Sequence, residues 1–143
     1  MASLIVQALG QFSDPQSEVQ LKALDAAVQA ITPDECGEAE FRAMLHVFER
    51  FPEDDGFGIF WGLVHALEAC SGYESEMLAS VARKPCEFNV LLVNRLLNAG
   101  ITDVDGVSLE GVLSSVMESN AATPRVRHDA ERYIARRRRA DEV

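Results

Sequence analysis

Apolar residues return along this chain at helical intervals. Residues 38–51 show it most plainly: Phe41, Met44, Leu45, Phe48 and Phe51 recur at three and four, which lines them along one helix face, and Pro52 ends the run. Residues 16–31 repeat the spacing with Val19, Ala23 and Ala27 beside Leu24, Val28 and Ile31, behind a Ser13-Asp14-Pro15 start signal. Residues 57–70 are apolar nearly all round (Phe57, Ile59, Phe60, Trp61, Leu63, Val64, Leu67), which predicts a central helix, covered on most sides, with Trp61 buried. Gly72 suits its left-handed cap. Residues 74–83 read as a short helix stopped by Pro85, and residues 87–99 as a strongly apolar one closed by Gly100. Ser108 caps a helix reaching about residue 119, and Thr123-Pro124 opens a last one running into Arg136-Arg137-Arg138-Arg139.

Strand-like alternation is absent. Asp55-Gly56 and Asp105-Gly106 both lie between helical segments, so residues 101–107 are expected as a turn-rich loop rather than a hairpin. The expectation is an all-α single domain over residues 1–143, with residues 125–143 as a basic C-terminal helix and short tail. Short linkers favour antiparallel neighbours, so six to eight helices should form stacked antiparallel hairpins, HEAT-like or as an irregular bundle. No apolar run approaches the ~18 residues that span a bilayer. The apolar first ten residues follow no Lys or Arg, so they read as mature fold rather than leader, and cytoplasm is the expected location.

Charge changes this picture. Net charge is -10, and it is uneven: residues 1–124 carry 6 basic and 19 acidic side chains, residues 125–143 carry 7 and 4. An acidic body repels phosphate backbones and steers towards basic partners, so neither nucleic acid nor membrane is expected as partner. The arginines of the last helix are diluted by Asp129, Glu131, Asp141 and Glu142, and cations near a helix C-terminus complement its dipole. Cys36, Cys70 and Cys86 are an odd number without C-x-x-C spacing, which argues for reduced, buried thiols and against a disulfide framework or zinc site.

Little in the sequence suggests catalysis. No phosphate-binding glycine loop or nucleophile elbow occurs, and His46, His65 and His128 are the three histidines. Asp103-Val104-Asp105-Gly106 with Glu110 fails the spacing of a calcium loop. Trp61, His65 and Glu68, four and three apart, share one helix face, so His65 and Glu68 are within reach of each other as a polar tie or a recognition patch. His46 and Glu49 repeat the spacing one helix earlier, a weak basis for an inter-helix metal site. Two acidic linkers, Asp34-Glu35 with Glu38 and Glu40, and Glu53-Asp54-Asp55, bracket the helix of residues 38–51 and are the candidate docking points for a basic partner.

The segment Asp54-Asp55-Gly56-Phe57-Gly58-Ile59-Phe60-Trp61-Gly62-Leu63-Val64-His65-Ala66-Leu67-Glu68 is similar to one in small helical immunity proteins, the antidotes of bacterial polymorphic toxin and contact-dependent growth inhibition systems. Residues 87–98, Glu87-Phe88-Asn89-Val90-Leu91-Leu92-Val93-Asn94-Arg95-Leu96-Leu97-Asn98, look like them too. The resemblance implies an all-α fold and direct inhibition of a cognate toxin domain, commonly a nuclease. Partner-binding residues are then expected among Asp34, Glu35, Glu53, Asp54, Asp55, His65 and Glu68, with no cofactor, metal or catalytic residue. The competing expectation is a helical adaptor or scaffold for a non-toxin partner.

Overall fold

Stop signals and caps divide the chain into helices almost where the periodicity changes. The computed structural model describes residues 2–141. Among them run α1 (Leu4–Gly10), α2 (Glu18–Gln29), α3 (Glu38–Arg50), α4 (Ile59–Cys70), α5 (Glu74–Arg83), α6 (Glu87–Asn98), α7 (Leu109–Met117) and α8 (Pro124–Asp141). The last two residues of the basic tail lie outside the described range. Ser108 Oγ accepts from Gly111 N at 3.1 Å and Thr123 Oγ1 from Val126 N at 3.3 Å, so both expected N-caps form. The start of α2 differs: Asp14-Pro15 makes a turn, with Asp14 Oδ1 taking Gln16 N, and Ser17 caps the helix instead. A second difference is a small antiparallel hairpin, β1 (Asp103–Val104) and β2 (Val107–Ser108). Its turn is Asp105-Gly106, both at positive φ (52° and 77°), the backbone that a tight two-residue hairpin requires.

The hairpins α1–α2, α3–α4, α5–α6 and α7–α8 stack in two layers. The odd layer sets α1 against α3 and α3 against α5; the even layer sets α2 against α4, α4 against α6 and α6 against α8. Side-chain ties fix the directions. Ser3 to Glu40 and Arg50 to the Leu9 carbonyl run α1 parallel to α3, and Arg42–Glu76 with Arg83–Glu49 do so for α3 and α5. Such a stack is what short antiparallel linkers produce when each hairpin buries both faces on its neighbours. Leu9, Met44, Phe48, Phe60, Leu63, Leu67, Leu92 and Leu113 fill the space between layers, and Phe12, Phe48, Phe60 and Phe88 meet there ring to ring.

Three expectations about the core need correction. Val19 is exposed, because α2 is a terminal helix that buries Leu24 and Val28, with Leu21 partly covered, and leaves its outer flank open. Phe57 and Trp61 lie at the surface, since α4 is covered by α2, α3 and α6 but keeps one flank open. Cys36 and Cys70, expected reduced, form a disulfide with Cα atoms 6.1 Å apart, because Cys70 ends α4 beside the turn that carries Cys36. Cys86 alone is a free buried thiol, its pKa pushed up to about 12 by burial.

Candidate functional site

The open flank of α4 begins at the loop between α3 and α4. There Gly56, Phe57 and Gly58 all take positive φ, at 57°, 53° and 89°. Asp54 Oδ1 accepts Gly56 N at 2.7 Å, Asp55 Oδ1 accepts Phe57 N at 3.0 Å, and the Asp55 carbonyl accepts Gly58 N and Phe60 N. A Cβ on Gly56 would stand 2.7 Å from the Phe60 ring, so glycine is required there. Phe57 has no such excuse: a β-carbon in the left-handed region costs about 1–2 kcal/mol. The loop nevertheless holds its ring 72% exposed.

Carboxylates surround that ring. Glu53, Asp54, Asp55, Phe57, Glu87, Gln16 and Arg125 line one open cavity of about 360 Å³. The Pro52 carbonyl accepts Glu87 N at 2.8 Å, which brings the start of α6 to the loop. Arg125, from the start of α8, reaches the Glu53 carbonyl and stands 3.2 Å from Glu87 Oε2. That contact lacks hydrogen-bond alignment, and Glu87 Oε2 is buried without a hydrogen-bond partner. Burial raises the Glu87 pKa above 4.5; Arg125 opposes the shift, and Asp129, Asp55 and Glu53 add to it. The cluster is tolerable because α4, α6 and α8 run parallel and present their N-terminal, positive dipole ends here.

Further along, Trp61 is 39% exposed, edge-on to Phe88 at 5.6 Å, with the Arg95 guanidinium 5.9 Å from its ring. Arg95 is held by both Glu68 oxygens, at 2.7 and 2.8 Å. The expected His65–Glu68 tie therefore does not form; His65 is exposed and lies 6.1 Å from Trp61, ring to ring. Glu49 likewise pairs with Arg83 and Ser80 rather than with His46, and no group of three or more potential metal ligands gathers among the described residues. Asp34 and Glu35 sit on a 3-10 turn (Pro33–Glu35) at the other end of α4, tethered by Cys36–Cys70. Thus Glu53, Asp54 and Asp55 are brought together with Phe57 and Glu87, His65 and Glu68 continue the same helix, and Asp34 and Glu35 mark its far end.

Sequence reasoning missed Phe57, Glu87 and Arg95 as surface groups. The Gly-Phe-Gly triplet was the available signal, because flanking glycines permit a backbone that turns a side chain outwards. No family model, curated protein or solved structure matches the chain.

Proposed function

We propose that this chain is a protein-binding inhibitor of the immunity type, and that it docks the N-terminal ends of α4 and α6 on a basic toxin domain. The observation that carries the reading is Phe57, held outwards on strained backbone amid Glu53, Asp54, Asp55 and Glu87. Strained, exposed aromatic residues cluster at recognition sites, and a pre-ordered loop loses little entropy on binding. A nuclease must present a basic surface to its substrate, and carboxylates around an apolar knob complement such a surface. Trp61 and Arg95, residue types enriched at binding hot spots, extend the face along α4. The reading assigns the chain no catalytic step and places its action in the cytoplasm, where the toxin acts.

The test is co-expression with the polypeptide encoded immediately upstream, followed by affinity purification and a growth assay. A stable complex and rescued growth are expected. Phe57→Ala should weaken the complex by at least tenfold, about 1.4 kcal/mol, without lowering Tm. Changing Glu53, Asp54 and Asp55 together to Ser should weaken it and flatten its salt dependence. A toxic, bound neighbour whose affinity ignores both changes would move the contact surface elsewhere. A neighbour neither toxic nor bound would leave the adaptor reading, which an apolar cleft of about 370 Å³ between α5 and α7 favours.

A further inference from the structure

At the opposite ends of α6 and α8 lies a small open pocket of about 180 Å³, lined by Asn94, Asn98, Tyr133, Arg136, Arg137, Ala140 and Asp141. Asn94 is 8% exposed, yet its side-chain amide has no hydrogen-bond partner among the described residues, and its polar atoms are not sealed from the pocket. That amide keeps its donors and acceptor open to the pocket, where water or a small polar ligand can reach them. Arg137 is committed to Glu110, at 3.2 Å. Arg136 has no ion pair among the described residues, and Tyr133, 7% exposed with its pKa raised by burial and by Asp129, stays a neutral phenol.

We propose that this pocket binds a compact tetrahedral oxyanion, a phosphate group, between the Asn94 and Asn98 amides and the Arg136 guanidinium. Asn94, Asn98 and Arg136 line one small volume and carry guanidinium and amide donors, the groups phosphate oxygens accept from. Two features oppose an anion. Asp141 stands on the rim, and helix C-termini carry partial negative charge. The second is blunted in α6, whose Arg95, Leu96 and Leu97 carbonyls already accept from Ala99, Gly100 and Ile101. The site is separate from the Phe57 loop, so its fate does not depend on the docking proposal.

The experiment titrates the full chain with inorganic phosphate at constant ionic strength, read by calorimetry and by NMR of the Asn side-chain amides, with acetate as a planar comparator. Saturable one-site binding is expected, with shifts at Asn94 and Asn98 and weaker binding of acetate. Arg136→Gln and Asn94→Leu should each weaken phosphate about tenfold, and Asp141→Asn should tighten it. Arg136 is exposed, so its variant reports even if Asn94→Leu disturbs the fold. Binding that is absent, or equal in wild type and Arg136→Gln, overturns the proposal and leaves the pocket to water.

Discussion

Phe57 stores strain that glycine would not. Phe57→Gly keeps the turn, loses little buried area and removes the left-handed penalty of about 1 kcal/mol. Its Tm should therefore rise by about 2–4 °C in a thermal scan, whereas complex formation should fall; an unchanged or lower Tm would show that the ring is held by contacts rather than by backbone. Glu87 makes a second test. Its folded pKa is raised above 4.5, so the folded state favours the protonated form. The stability this contributes is present below that pH and is lost as pH rises through the folded value. Glu87→Gln should match wild type near pH 4 and exceed it at neutral pH, in parallel melts across that range. The carboxylate cluster at residues 53–55 was legible because charge on a linker is surface charge. Phe57 and Trp61 were not, because composition tells how apolar a helix is but not which flank its neighbours leave open.

Helix identity followed from periodicity and caps, whereas the ties between helices came from side chains with no sequence signature. Asn89 is fully buried in the first turn of α6, where it accepts Cys86 N at 2.8 Å and donates to Ser80 Oγ and the Lys84 carbonyl at 3.0 Å. One amide thus joins the α5 end, the linker and the α6 start. Asn89→Ala strands a buried N–H and should cost about 2–4 kcal/mol in urea unfolding; a loss under 1 kcal/mol would mean water replaces the network. Within an apolar stretch, Asn89 reads as a polar interruption, and only the fold gives it partners. The β1–β2 hairpin escaped for a related reason. Two residues per strand are too few for alternation to register, although Asp105-Gly106 is itself a hairpin signal.

For the whole molecule, the stacked-hairpin architecture was within reach, since short linkers force it, but the disulfide was not. Cysteine number argued against pairing, while three-dimensional proximity of Cys36 and Cys70 decides it. The bridge spans 34 residues, and closing a loop of that length stabilises by about 3–4 kcal/mol in the chain-entropy account. Cys36→Ser with Cys70→Ser, or reduction, should lower denaturant stability by up to that amount; no change would show that the thiols are unlinked in solution. The stack also has ends. Hairpin α1–α2 has a neighbour on one side only, and α2 anchors itself with Leu24 and Val28 while Leu4 and Val19 face solvent. In a quasi-linear stack each unit is as stable as its interfaces, so opening is graded rather than all-or-none. Amide protons of α2 will therefore exchange long before those of α6, and the chain will loosen from its N-terminal edge while the α3–α4 hairpin, whose linker carries Phe57, stays closed.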